Sequence, residues 1–149
     1  MKLEFSGSPE IAAPREKAWQ RLMDPHFVAK SAPGVESVEV IDPTHFKVIS
    51  GFGVGSIKVR FAMEVELFDI VPERSARMRI RGKAPGSAVD VVSSLEIQDA
   101  GPGKVRLNWS ATSEISGTVA GVGARLMEGT ARKLTEQFWT DFARRVSQE

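Results

Sequence analysis

Gly117-Thr-Val-Ala-Gly-Val-Gly-Ala-Arg-Leu-Met-Glu-Gly-Thr-Ala-Arg-Lys-Leu-Thr-Glu-Gln-Phe-Trp-Thr-Asp-Phe-Ala-Arg-Arg-Val146 is where a strand-patterned chain turns into one long amphipathic helix. Val119, Leu126, Met127, Ala131, Leu134, Phe138 and Phe142 recur at helical spacing, and Arg125, Glu128, Arg132, Glu136 and Arg144 take the other side. The 28 residues from Val119 to Val146 predict a rod of roughly 42 Å. A rod of that length with one apolar face has to lie across something large and apolar. The strands that precede it are the only candidate.

Those strands are legible from their period of two. Leu3, Phe5 and Gly7 predict a first strand that closes on a turn at Pro9-Glu10. Pro14 opens a short helix over Arg15 to Met23, and a second runs from His26 to Ser31 before Pro33-Gly34. Val38 and Val40, then Phe46, Val48 and Phe52, mark two strands around Asp42-Pro43-Thr44. Ile57, Val59, Phe61, Met63, Val65 and Leu67 make the clearest row. Rows through Ala76, Met78 and Ile80, through Val89, Val91, Leu95 and Ile97, and through Val105, Leu107, Trp109, Ala111 and Ile115 follow. The connections are too short for parallel crossovers, so the sheet is expected to be antiparallel. The fold class is α+β: about 6–7 strands curled around the long C-terminal helix, with two short helices after the first strand. The inward rows exceed what a flat two-layer contact would use, which predicts an enclosed cavity. Residues 1–149 read as one domain, without repeat or linker.

Composition narrows the function. A content of 42% apolar and 26% charged residues is that of an ordinary soluble domain. A net charge of +1 gives no general drive toward nucleic acid or an anionic membrane. The absence of cysteine removes disulfides, thiolate metal sites and a cysteine nucleophile. No secretory leader or membrane-length apolar run is present, so the expected location is cytoplasmic.

Several motifs read as chemistry and resolve into structure when their context is weighed. Arg77, Arg79, Arg81 and Lys83 form a basic ladder, but Glu64 and Glu66 are expected opposite or diagonal to Arg79 and Arg81, with Asp90 able to face Arg81 from the other side. Charge pairing on a solvated face is the expectation, with a docking surface as the alternative. The glycine-rich stretch Gly117 to Gly123 resembles a dinucleotide turn, yet no strand follows it to complete a βαβ unit. Gly121, Gly123 and Gly129 are instead expected to let the helix approach a strand or ligand closely or to bend there, with close approach the favoured reading. His26 and His45 lack metal-ligand spacing, and no serine lies in a nucleophile elbow. No catalytic residue, metal site or cofactor is expected. Trp19, Trp109 and Trp139 default to core packing. Trp109 is the one placed on a cavity wall, and Trp139, off the main stripe, is a candidate surface anchor.

Phe5-x-Gly7, Ile11-Ala-Ala-Pro14-Arg-Glu-Lys-Ala-Trp19, Leu22-Met-Asp24-Pro25, Pro33-Gly34-Val35-Glu36, Val54-Gly55-Ser-Ile57-Lys58, Leu107-x-Trp109 and Gly117-x-Val119-Ala-Gly121-Val-Gly123 together resemble the carbon monoxide dehydrogenase G-subunit family of the START-like, helix-grip superfamily (SRPBCC). The resemblance implies a curved sheet gripping the C-terminal helix around a hydrophobic cavity. It further implies an accessory role beside molybdenum hydroxylases such as carbon monoxide dehydrogenase, through membrane recruitment or handling of a lipophilic electron carrier. Some members carry a C-terminal membrane tail. The sequence ends at Glu149 without one, so any membrane contact is expected to be peripheral, at the inner face.

The expected function is non-catalytic binding of a hydrophobic small molecule, a quinone or lipid, with an oxidoreductase as protein partner and no nucleic acid. Phe61, Met63, Met78, Leu107, Trp109, Leu126, Met127 and Phe138 are the expected wall, chosen by strand parity, helix stripe and the adaptability of thioethers. Two alternatives stand beside it. One is a protein-protein adaptor whose cavity is filled by its own side chains. The other is an enzyme of the same fold, a cyclase or hydrolase, which would need polar groups projecting inward; Ser93 and Ser113 are the few with that parity.

Overall fold

The computed structural model describes residues 1–149. β1 (Lys2–Gly7) and a two-residue β2 (Glu10–Ile11) precede α1 (Arg15–Leu22) and α2 (Pro25–Ser31). Then come β3 (Val35–Asp42), β4 (His45–Val54), β5 (Ile57–Val71), β6 (Ser75–Ala84), β7 (Ser87–Asp99) and β8 (Val105–Gly117). A 3₁₀ turn (Thr118–Val122) leads into α3 (Ala124–Ser147). The short helices are fixed by their starts. Pro14 precedes α1 with extended backbone, and Asp24 caps α2 by accepting from the backbone N–H groups of His26 at 3.0 Å and Phe27 at 3.3 Å.

All strand pairs are antiparallel, in the order β1-β8-β7-β6-β5-β4-β3, with β2 also on β8. β2 departs from the turn expected at Pro9-Glu10. Ile11 is fully buried opposite Val105, so the chain returns to β8 to cover that side chain after a two-residue interruption. Elsewhere the alternation of apolar and polar residues sets which face each strand turns inward.

On the convex face the register joins Lys2, Glu114, Asp90, Arg81, Glu64, Lys47 and Glu39 into one row across seven strands. Glu66 faces Arg79 in the next row. The basic ladder of β6 is therefore bordered by carboxylates, as its sequence neighbours predict. No ion pair within 4.0 Å holds Arg79 or Arg81, whereas Arg77 reaches Asp69 at 3.5 Å.

The terminal helix differs from the sequence-based expectation in two ways. It is broken at Gly123, whose φ of +100° is a conformation side-chain-bearing residues rarely adopt, so α3 has 24 residues and spans roughly 36 Å. The stretch from Val119 is a 3₁₀ turn rather than the first helical turns. Moreover, a Cβ added at Gly121, Gly123 or Gly129 would meet nothing within 4 Å. These glycines do not serve close approach. The first half of α3 buries only Met127, and its second half buries Phe142 and Val146.

Candidate ligand cavity

The sheet and helices enclose two separate hydrophobic cores rather than one. The core beside α1 and the C-terminal half of α3 holds Ile11, Trp19, Ile97, Leu107, Phe142 and Val146. The core at the other end holds Leu3, Val54, Phe61, Ile115, Val119 and Met127. Between them, the inward side chains Met78, Ile80, Val91, Ser93, Leu95 and Ala111 are only half-buried, although they lie on the same concave face. The register explains the gap. Ala111, Ser93, Met78 and Leu67 fall in one cross-strand row, and the two small residues at its β8 and β7 positions leave space that the larger side chains on either side do not fill.

That space is a cavity of about 250 Å³ lined by 15 residues, 12 of them hydrophobic. The sheet contributes Leu67, Met78, Val91, Ser93, Leu95, Trp109 and Ala111; Leu22, Met23 and Val28 come from the α1–α2 segment, and Phe138 and Trp139 from α3. The two indoles stack with centroids 6.2 Å apart at 27°, and Phe138 meets Trp139 edge-on at 4.9 Å. Trp109 and Trp139 also floor an outer cleft of about 440 Å³ between β1 and α3, whose rim includes Glu4, Arg132 and Glu136. The tryptophan pair thus separates an apolar interior from a polar exterior.

Of the eight expected wall residues, Met78, Trp109 and Phe138 line this cavity. Leu107 is fully buried in one core, Phe61 and Met127 are buried in the other, and Met63 packs against the latter. These four support the cavity's ends without facing it. Leu126 lies outside: it is 41% exposed and packs over the β4–β5 turn, with Cδ2 2.9 Å from where a Cβ on Gly55 would stand. Trp139 is the reverse case. Its off-stripe position suggests a surface anchor, yet it stands in the wall, stacked on Trp109. The signal that finds it is a stripe through Met127, Ala131, Thr135, Trp139, Phe142 and Val146, visible only when alanine and threonine are allowed to count as inward.

Polar groups at the cavity are few. Arg77 is the only ionisable residue among its lining, and its guanidinium donates to Ser94 Oγ at 3.3 Å and lies 4.9 Å from the Phe68 ring centroid. Ser93 faces inward, whereas Ser113 is half-buried and does not line the space. Trp109 Nε1 is buried without a hydrogen-bond partner.

The histidines lie away from it. His26 is exposed at the start of α2. His45 Nδ1 is 2.9 Å from Asp42 Oδ1 and its Nε2 is 3.0 Å from Glu66 Oε2, and these two hydrogen bonds raise its pKa above the ordinary 6.5. The backbone N–H of Thr44 and the His45 ring lower the pKa of Asp42 in turn. No group of three His, Asp or Glu side chains is arranged to hold a metal. No helix is long and apolar enough to cross a membrane.

A curved antiparallel sheet closed by a long C-terminal helix over an apolar hollow is the START-like, helix-grip architecture, and solved structures share it. A conserved protein from Geobacillus kaustophilus superposes with a TM-score of 0.91 at 24% identity, covering 98% of this chain and 96% of that one. A START superfamily protein from Mycobacterium smegmatis gives 0.73 at 13%, with 97% of each chain covered. The Zhui aromatase/cyclase from Streptomyces sp. R1128 gives 0.75 at 13%, covering 99% of this chain and 95% of that one. These likenesses establish the fold. No match was found among curated protein sequences. The family model for the carbon monoxide dehydrogenase G-subunit, CoxG, matches residues 7–147, and the chain belongs to that family.

Proposed function

We propose that this protein is a non-catalytic accessory protein that carries an apolar small molecule in the cavity between the sheet and α3. The observation that carries the reading is the hollow between the two cores, closed on its helix side by Phe138 and Trp139. An apolar void of about 150 Å³ is enough to hold benzene, so about 250 Å³ takes a larger ring system or a stretch of chain. Burial of ligand carbons supplies the affinity, at about 0.8 kcal/mol per CH₂ removed from water. Met78, Trp109 and Phe138 are the proposed direct contacts, and Phe61, Met63, Leu107 and Met127 hold the ends of the cavity in place.

Family membership supports the finer reading. The cargo is a quinone or lipid, and the protein serves a molybdenum hydroxylase such as carbon monoxide dehydrogenase from the cytoplasmic side, with peripheral contact at the membrane. Against an enzymatic role stands the lining itself. Its one ionisable side chain, Arg77, is committed to Ser94 and Asp69, whereas acid-base chemistry needs a positioned titratable group at the reacting atom. The aromatase/cyclase among the structural relatives shares the fold at 13% identity, too little to transfer its activity.

Native mass spectrometry of freshly purified protein, with and without added quinones, tests the reading. The expected result is a one-to-one adduct, and a melting temperature raised by about 5 °C or more at ligand near a hundredfold Kd. A protein that carries no apolar adduct and melts identically with quinones and long-chain lipids would contradict it.

A further inference from the structure

Three of the residues lining the cavity are polar: Arg77, Ser93 and Ser94. Arg77 and Ser94 are cross-strand partners, and the guanidinium donates to Ser94 Oγ at 3.3 Å, so these two satisfy each other. Side chains alternate between faces along β7, which puts Ser93 on the concave side. Its cross-strand neighbours there are Ala111 on β8 and Met78 on β6, a methyl group and a thioether that is at best a weak acceptor. Ser93 Oγ accordingly has no hydrogen-bond partner within the protein. It is not sealed off either, since the side-chain polar atom that is both unpartnered and closed to solvent is Trp109 Nε1. Ser93 is half-buried, and its hydroxyl is open to the space that its row of small side chains leaves.

We infer that Ser93 determines ligand specificity, its hydroxyl hydrogen-bonding a neutral oxygen set within the buried part of the ligand. Its position in the fold carries the argument. Ser93 stands in the row where the void opens between the two cores. A plain alkyl chain lying there would strip the hydroxyl of hydration and return no hydrogen bond, which costs affinity. A carbonyl, ether or hydroxyl oxygen restores the bond, because serine both donates and accepts. A carboxylate or phosphate would be buried without a cation, since Arg77, the one ionisable residue of the lining, is engaged with Ser94 and Asp69. The ligand class is thus an apolar molecule with a neutral oxygen within its buried length. Of the cargoes proposed above, a quinone meets that description and an unsubstituted acyl chain does not. The inference rests on the cavity being the binding site, and the test separates the two claims.

The probes are 2-acetylnaphthalene and its hydrocarbon counterpart 2-isopropenylnaphthalene, which differ in the oxygen and little in shape. Titrated into the full chain, the ketone is expected to bind roughly 2- to 10-fold more tightly than the hydrocarbon. Ser93→Ala is expected to erase that preference, and the ratio of the two affinities within each protein is the readout, so a general change in binding does not mimic the result. Ser113→Ala, on β8 with the same parity but outside the cavity lining, is expected to keep the wild-type ratio. A measurement on the ligand needs no variant: the infrared carbonyl band of the bound ketone, isotopically labelled at that carbon, is expected to lie below its position in an apolar solvent, as a hydrogen-bonded carbonyl does. Equal affinities in the wild type, a preference that survives Ser93→Ala or is lost equally in Ser113→Ala, or a carbonyl band at its apolar-solvent position overturns the role of Ser93 alone. Failure of both probes to bind the wild type overturns that role together with the cavity reading beneath it.

Discussion

His45 bridges the β3–β4 turn to β5 through Asp42 and Glu66, and its raised pKa makes part of the protein's stability depend on pH. A group whose pKa is higher in the folded state stabilises fully below its unfolded value and loses that contribution as pH rises through the folded value. The stability difference between wild type and His45→Gln is therefore expected to be largest at pH 6 and to shrink as pH climbs from 6.5 upward, read from urea midpoints across that range. A difference independent of pH contradicts the bridge. Arg145 makes a different kind of link. Its Nη1 donates to the Phe27 carbonyl and to Ser31 Oγ, both at 2.7 Å, and the guanidinium lies 3.9 Å from the Phe27 ring centroid, tying α2 to α3 beside the cavity. Arg145→Met keeps the aliphatic stem but strands two partly buried acceptors, and is expected to cost about 2 kcal/mol in equilibrium unfolding. Lysine is expected to recover little of this, since a point charge cannot reproduce the planar fork over the ring.

At the scale of the element, the two halves of α3 are held unequally. Its second half is fixed by Phe142, Val146 and the aromatic cluster, whereas the first half rests on Met127 and includes Gly129 facing open space. Gly129→Ala is expected to stabilise the protein by about 0.5–1 kcal/mol, because the helix gains propensity and the methyl meets nothing. Gly123→Ala, with as much space around it, is expected to destabilise, because its φ is positive. Equal effects at the two positions in denaturant melts would show that the Gly123 break is not fixed by the backbone. The break also marks where the sequence is not legible. The apolar spacing continues smoothly from Val119 into α3, and nothing in a pattern of side chains reports that a glycine has turned left-handed. The inward position of Trp139 is hidden for a related reason, since small residues on its stripe contribute no hydrophobic signal while still facing inward.

For the molecule as a whole, the strands from β4 to β8 and the helix-grip layout follow from parity alone, because one buried face forces the period of two. The β2 return to β8 is hidden, since two residues are too few to show a period. The cavity is legible as surplus apolar surface, but its location is not. Leu107 and Phe61 share the inward parity of Met78 and Trp109, yet only cross-strand register shows that the void opens at the row where Ala111 and Ser93 stand. The same register sets Arg81 and Arg79 opposite Glu64 and Glu66 on the convex face, so reversing Arg79 and Arg81 to glutamate is expected to leave apolar ligand binding unchanged while lowering stability modestly through like-charge contacts with Glu64 and Glu66.

The proposed function depends on the hollow being a binding site, and a titration with a guest lacking any polar group tests that most directly. Binding of 2-isopropenylnaphthalene to the wild type and to Ala111→Phe, a variant that fills the void from β8, should differ by at least tenfold, with both proteins folded by circular dichroism. Equal affinities would place the guest elsewhere on the protein and contradict the assignment of the hollow as the site.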